Sequence, residues 1–362
     1  MSKTLRIAMI GYGFMGKVHS HAWRSVNHFF PDAPQVEMSV ICGRSKDALE
    51  AARVTFGWNE AETDWKKVIA RSDIDVIDIC TAGDTHEEIA IAALKAGKHV
   101  ICEKPFAANV ADADRMIEAS KAAGRTLAIN WPLAWYPPHI TTKRLIDEGT
   151  IGDVLEVHFY DGNRGPLRHL ADKIEVSEQE AADMKRASWW YDPARGGGSL
   201  LDYLGYGTTL GTWFLGGREP LTVTAITDNV DATFVDEHSI VVCRYASGLS
   251  KFETRWGTFT DPWTIQPQPK CGFVVVGTSG TISSYDYEDH VMIQTMDHPV
   301  PTPVAVDTLT APMRNIIEHF DATAASPESL HAPLTPRICR IGQKIVDLAA
   351  ASAAAGRTLN YV

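Results

Sequence analysis

The run Leu5-Arg6-Ile7-Ala8-Met9-Ile10-Gly11-Tyr12-Gly13-Phe14-Met15-Gly16 reads as one strand followed at once by a glycine turn. Five of its first six residues are apolar, the pattern of a strand buried on both faces of a parallel sheet. A helical stretch from Lys17 to about Phe29 comes next, so the turn lies between strand and helix. In that setting each glycine has a separate reason: Gly11 makes the tight turn, Gly13 lets a pyrophosphate approach the backbone, and Gly16 lets the helix pack on the strand. Phe14 and Met15, between the glycines, are assigned to the same site. The unpaired amides and positive dipole end of the helix favour an anion there. The expected fold class is α/β, opening with a parallel Rossmann sheet.

Working outward, the second strand, Val36 to Cys42, ends in Gly43-Arg44-Ser45-Lys46. A carboxylate at that tip would bind both ribose hydroxyls, and none is present. Arg44 can pair with a 2′-phosphate, stack on adenine, or remain a solvated charge, so NAD and NADP both stay open on these residues. Further strands are expected at Val76 to Cys80 and Val100 to Cys102, separated by a helix from Glu87 to Lys95 that stops at Gly97. The loop from Thr81 to His86 falls at the carboxyl edge of the sheet, where open α/β sheets bind ligands. Thr81 and His86 are therefore assigned to cofactor contact, with His86 packing rather than carrying a proton. Glu103-Lys104-Pro105 closes the series, and its proline is expected to hold Lys104 extended. A lysine at this edge points to nicotinamide chemistry rather than nucleotide binding alone.

The whole chain sets further bounds. Its 362 residues fit two domains, a dinucleotide-binding domain over 1–128 and a substrate-binding and oligomerisation domain over 129–362. Formal net charge is -11 with no run of clustered Lys and Arg, which argues against a nucleic-acid partner. Six cysteines lie far apart without a Cys-x-x-Cys pair and read as buried thiols in a reducing compartment. His19 and His21, two apart on a helix, cannot face one metal, and no metal is expected. Neither a signal-peptide stretch nor a membrane span is evident, giving a cytoplasmic expectation and no membrane partner.

Beyond about Asn130 the pattern changes. A helix is expected from Ile140 to Glu148, then a strand from Val154 to Tyr160. Hairpin-like strands follow at Leu221 to Thr227, Ser239 to Tyr245, Ser250 to Trp256 and Gly272 to Val276, an open and largely antiparallel sheet in an α+β domain. The polar segment from Leu170 to Ser188 is expected at the surface, and Arg337 to Ala355 as a helix. A helix beginning near Ser199, after Gly196-Gly197-Gly198, places Asp202 and Tyr206 one turn apart on one face. With Lys104, these residues supply the ammonium, carboxylate and phenol of a hydride-transfer site. A tyrosine with a pKa of ~10 is a poor base, and a nearby ammonium favours its ionised form.

These segments together resemble the Gfo/Idh/MocA oxidoreductase family over nearly the whole length: the Gly11 to Gly16 turn, the Thr81 to His86 loop, Lys95 to Val100, Glu103-Lys104-Pro105, Leu145 to Gly152, and Gly196 to Tyr206. The resemblance implies a catalytic group at Lys104, Asp202 and Tyr206, with tyrosine where histidine is common in the family. It also implies an NAD(P) cofactor touched by Glu103 and Lys104. The segments Asn130 to Pro138, Asp161 to Pro166 and Ser188 to Tyr191 resemble the bacterial D-apiose dehydrogenases within the family, which implies NAD and a pentose-type sugar oxidised to a lactone. Trp131, Tyr136, Asp161, Asn163, Arg164 and Trp190 are the candidates for sugar contact, with aromatic planes on C–H faces and polar tips on hydroxyls. The alternatives are an aldehyde or ketone reductase of the same family and a non-catalytic NAD(P)-binding regulator. A broad open sheet needs covering, so a homodimer or homotetramer is expected.

Overall fold

The computed structural model describes residues 4–166, 177–192, 197–228, 235–285 and 288–362. By compactness the chain forms two units, one of residues 1–135 with 309–340 and the other of 136–308 with 341–362.

The first unit is built on six strands: β1 (Leu5–Ile10), β2 (Val36–Cys42), β3 (Glu60–Glu62), β4 (Val76–Ile79), β5 (His99–Glu103) and β6 (Leu127–Asn130). All pair in parallel, in the order β3-β2-β1-β4-β5-β6. This is the doubly wound order whose direction of travel reverses beside β1, the position where such sheets bind ligands. The central strands carry the apolar runs that two covered faces demand: every residue of β4 is buried, including Asp78. The helices are α1 (Phe14–Phe29), α2 (Lys46–Phe56), α3 (Trp65–Ala70), α4 (His86–Lys95) and α5 (Val110–Ala123). Side-chain capping marks some of their starts, as where Asn109 accepts from the Asp112 amide at 3.0 Å. A late helix, α9 (Ile316–Thr323), completes this core by burying Ile317 and Phe320 beside Ala128 and Ala134.

The second unit contains α6 (Pro137–Asp147), α7 (Glu178–Ala187), α8 (Ser199–Phe214) and most of α10 (Pro336–Ala355). Its sheet comprises β7 (Val154–Gly162), β8 (Thr222–Thr227), β9 (His238–Arg244), β10 (Leu249–Arg255), β11 (Gly272–Gly277), β12 (Gly280–Tyr285), β13 (His290–Thr295), β14 (Thr302–Ala305) and β15 (Leu359–Asn360). The order is β14-β13-β12-β11-β7-β10-β9-β8-β15. Only β7 with β10 is parallel among these pairings, so the sheet is mixed and mostly antiparallel. α8 lies directly on it. A Cβ at Gly207 would fall 2.6 Å from the Phe159 ring, and one at Gly211 the same distance from the Phe252 ring. The glycines of α8 are what let the helix approach β7 and β10 so closely.

α6 begins three residues earlier than the sequence pattern indicates, because Pro137 and Pro138 occupy the first turn, where no backbone N–H is needed. Part of the polar excursion, 170–176, lies outside the described residues, as does Gly196. The remainder of the excursion forms α7, opened by a reciprocal capping box between Ser177 and Glu180.

Candidate active site

In the first unit, α1 starts straight from the glycine turn, with Gly13 at its N-cap and no side chain bonded to the cap. The end amides are therefore left for another acceptor. Gly11 has φ of +108°, and a Cβ there would lie 2.4 Å from the Cys80 carbonyl oxygen. At Gly16 a Cβ would lie 2.4 Å from the Gly11 carbonyl oxygen, so strand, turn and helix leave no room for one. Gly13 differs: a Cβ would meet nothing within 4 Å. The space above its backbone is open, and that is the shape a dinucleotide pyrophosphate requires at a helix N-terminus. The turn thus fits the dinucleotide that the strand order implies.

The residues around this turn fall into two groups. Phe14 and Arg44 are exposed, Met15 and Thr81 half-buried, and Lys104 half-buried beside a cis peptide bond to Pro105. Glu103 and His86, by contrast, are buried. His86 places Nδ1 3.0 Å from the Pro105 carbonyl oxygen and Nε2 3.1 Å from that of Thr81, bracing the two loops against each other. Burial pushes its pKa down, against the carbonyl contacts that favour protonation. Glu103 directs one carboxylate oxygen to the Asn130 amide at 2.9 Å and to His19 Nε2 at 3.0 Å. Tyr12 was not singled out from sequence. Its ring occupies the place of a Gly43 side chain, for a Cβ there would lie 2.2 Å from the ring.

Among the described residues one group could hold a metal: His19, Asp78 and Cys80, with donor atoms all within 4.8 Å of one another. His21 is exposed and takes no part. All six cysteines are buried and unpaired with one another.

In the second unit, α8 carries Asp202, Tyr203 and Tyr206, each half-buried. The helix start is fixed by Asp236, which accepts from the Ser199 hydroxyl at 2.7 Å and the Leu200 amide at 2.8 Å. Gly198, at φ of +116°, is held against it, since a Cβ would lie 2.3 Å from an Asp236 carboxylate oxygen. The Tyr203 and Tyr206 rings lie 5.8 Å apart between centroids. Asn163, just beyond β7, donates through its side-chain amide to the Tyr203 hydroxyl, and its side-chain Oδ1 accepts from the Gly165 amide at 2.7 Å. Burial raises the pKa of Tyr203 well above the usual phenol range, helped by the charges of Asp202 and Asp161. Tyr203 is thus a neutral phenol amid two carboxylates, a role with no signature in the sequence pattern because three tyrosine and aspartate positions on one helix all look alike.

Of the sugar-contact candidates, Asp161 and Asn163 gather at Tyr203, while Arg164 is half-buried with its amide donating to Asp261 at 3.1 Å. Trp190 is half-buried, and its carbonyl oxygen accepts from the Gly198 amide at 3.0 Å, next to the start of α8. Tyr136 is 47% exposed, whereas Trp131, in the first unit, is buried at 4%.

Comparison with known proteins accords with this layout. The family model described as "Oxidoreductase family, NAD-binding Rossmann fold" matches residues 5–131, and the "GFO/IDH/MocA C-terminal domain" matches 139–283. Levoglucosan dehydrogenase of Pseudarthrobacter phenanthrenivorans is 38% identical over 180 residues, 48% of this chain and 46% of that one. D-apiose dehydrogenase of Paraburkholderia graminis is 31% identical over 150 residues, 41% and 38% of the two chains. Myo-inositol 2-dehydrogenase of Thermotoga maritima is 32% identical over 182 residues, 50% and 51% of the chains. The chain thus spans about half the length of the curated relatives it matches, or less. A levoglucosan dehydrogenase solved in complex with NADH shares the fold over 99% of both chains, with a TM-score of 0.79 at 22% identity. With both of its matched segments accounted for, the chain belongs to the Gfo/Idh/MocA oxidoreductase family.

Proposed function

We propose that the protein is an NAD-dependent dehydrogenase of a cyclic sugar or polyol. The observation that carries this reading is the cluster at α8, whose Asp202, Tyr203 and Tyr206 are joined by Asp161 of β7 and by Asn163 just beyond it. A sugar hydroxyl needs acceptors and donors at close spacing, and this cluster offers carboxylates, phenols and an amide together. Bound NAD would supply the acceptor for the hydride leaving the substrate carbinol carbon.

Tyr206 takes the hydroxyl proton as that C–H bond breaks, so the alcohol becomes a carbonyl. Lys104 is assigned the stabilising of negative charge as it develops on the substrate. Asp202 orients the acting groups. Tyr203, kept protonated by burial, donates to or accepts from a second substrate hydroxyl and is not the base. An anomeric carbinol would yield a lactone, a ring hydroxyl a ketone.

The substrate class rests on the named relatives, whose activities concern levoglucosan, D-apiose and myo-inositol. D-apiose keeps its place as one candidate pentose on the strength of the Asp161 to Pro166 segment. Levoglucosan and inositols stand beside it. The exposed Arg44 serves the adenine face of NAD in this reading, so NAD should be preferred over NADP. A dimer or tetramer is proposed as well, supported by the adjacent exposed Ile226 and Ile240 paired across β8 and β9; light scattering of the purified protein would test it.

Turnover with NAD and the three named sugars tests the proposal. Tyr206→Phe and Lys104→Ala should each lower kcat on the order of 10²–10⁴-fold, with Tyr203→Phe acting mainly on KM. Normal turnover in both of the first two variants contradicts the assignment. Reduction of an aldehyde or ketone with NADH, without measurable oxidation of any sugar, favours the reductase alternative. NADH binding without any turnover favours a regulator.

A further inference from the structure

Asn163 is 6% exposed, and each of its four polar groups is bonded. Its amide donates to the Arg255 carbonyl at 3.0 Å and its carbonyl accepts from the Thr258 amide at 3.1 Å. Its side-chain Oδ1 accepts from the Gly165 amide at 2.7 Å, and Nδ2 donates to the Tyr203 hydroxyl. We propose that Asn163 is a positioning residue, not a sugar contact: it turns the Tyr203 hydroxyl so that its proton is presented to a second oxygen of the substrate. This rests on the dehydrogenase reading and deepens it, because it says what the substrate must carry beside the reacting hydroxyl.

The direction of each bond follows from what each atom can do. A backbone N–H only donates, so the side-chain atom facing Gly165 is Oδ1 and the one facing Tyr203 is the NH2 nitrogen. That nitrogen also only donates, so the phenol oxygen accepts there and its single proton points away from Asn163. Among the described residues the Tyr203 hydroxyl makes no other hydrogen bond. A phenol that already accepts is a stronger donor, since hydrogen bonds in a chain polarise one another. Burial, with the charges of Asp202 and Asp161, outweighs the opposite pull of the Asn163 donation, so the hydroxyl keeps its proton.

Backbone anchors the arrangement. Gly165 has φ of +96°, a left-handed conformation that closes a short turn on Oδ1. Between them the Arg164 amide is tied to Asp261, itself 2% exposed, at 3.1 Å. Turning the Asn163 amide over would set its NH2 against the Gly165 N–H and leave two donors facing each other. Tyr206 follows one turn along α8, its ring 5.8 Å from that of Tyr203 between centroids. While Tyr206 takes the proton of the reacting hydroxyl, Tyr203 donates to a neighbouring oxygen of the same sugar. That oxygen has to be an acceptor, so the site selects a polyhydroxylated ring over a simple alcohol.

Two variants separate the roles. Tyr203→Phe removes the hydroxyl. Asn163→Asp keeps an oxygen for the Gly165 amide but puts a carboxylate oxygen against Tyr203, which draws the phenol proton away from the sugar. With whichever of levoglucosan, myo-inositol and D-apiose is turned over, each variant should raise KM roughly 3- to 10-fold with kcat within about twofold. The double variant should be no worse than Tyr203→Phe alone. An Asn163→Asp effect of undiminished size in the Tyr203→Phe background overturns the proposal, since a direct sugar contact or a mere brace of the turn would give it. Among monodeoxy analogues of that sugar, one should bind more weakly than the parent to wild type but not to Tyr203→Phe; equal losses in both proteins at every position overturn it. Should none of the three be turned over, the Kd of each sugar for the NADH complex, by calorimetry, replaces KM and the same comparison decides. The bond itself is read without substrate or cofactor, which tells its failure from failure of the dehydrogenase reading. In nitrogen NMR of protein labelled at asparagine, the Asn163 side-chain amide signal, identified by its loss in Asn163→Asp, should move in Tyr203→Phe. An unmoved signal overturns the proposal whether or not any sugar is oxidised.

Discussion

Gly11, Gly13 and Gly16 look equivalent in the sequence but answer to different constraints. Replacing Gly11 or Gly16 by alanine drives a Cβ into backbone atoms at 2.4 Å, so each should cost on the order of 2 kcal/mol or more, visible as a lowered Tm. Gly13→Ala should leave Tm nearly unchanged, because nothing lies within 4 Å of the new methyl, yet weaken NADH binding by filling the open space above the turn. Calorimetry and fluorescence titration on the same three variants separate the two effects. His19 gives a residue-scale pH prediction. Its pKa is raised in the folded state, so its stabilising contribution is fully present below the unfolded value of about 6.5 and is lost as pH rises through the higher folded value. His19→Gln, which removes the ring set between Asp78 and Glu103, should lower Tm at neutral pH. The gap in Tm between wild type and variant should narrow as the solution is made alkaline.

At the scale of elements, legibility followed the physics of burial. β1, β2 and β4 were readable because strands covered on both faces are dominated by apolar residues, and α8 because three glycines precede Ser199 and the following Asp202 and Tyr206 fall at helical spacing. β3 (Glu-Ala-Glu) and β12 (Gly-Thr-Ile-Ser-Ser-Tyr) were not, since each lies towards an outer part of its sheet, where few side chains need to be apolar. The pairing of Asp202 with Tyr206 on one helix face follows from spacing alone. Tyr203 does not, because its importance comes from Asn163 and Asp161, which are about forty residues away in sequence and adjacent only through the packing of β7 against α8. The same holds for His19, whose partners Asp78 and Glu103 lie on two later strands. Helix starts make a further test: Asn315 accepts from the Ile317 and Glu318 amides at 3.1 and 3.0 Å at the head of α9, and Asn315→Ala should cost about 1 kcal/mol in denaturant unfolding.

For the whole molecule, the late segment 309–340 belongs with the first unit. Phe320, Leu330 and Leu334 stand in the same core as Ile7, Met9 and Trp23. Phe320→Ala should therefore cost about 3–5 kcal/mol, and a fragment of residues 1–135 alone should expose that core and lack a cooperative unfolding transition. No helix among the described residues is long and apolar enough to cross a membrane. The measurement that bears most directly on function is transfer of label: levoglucosan, myo-inositol and D-apiose, each deuterated at the carbinol carbons, are incubated with the protein and NAD, and the reduced cofactor is weighed by mass spectrometry. The account predicts deuterium in the cofactor with at least one of the three and its loss in Tyr206→Phe. Absence of label from all three sugars, or undiminished transfer by the variant, would contradict it.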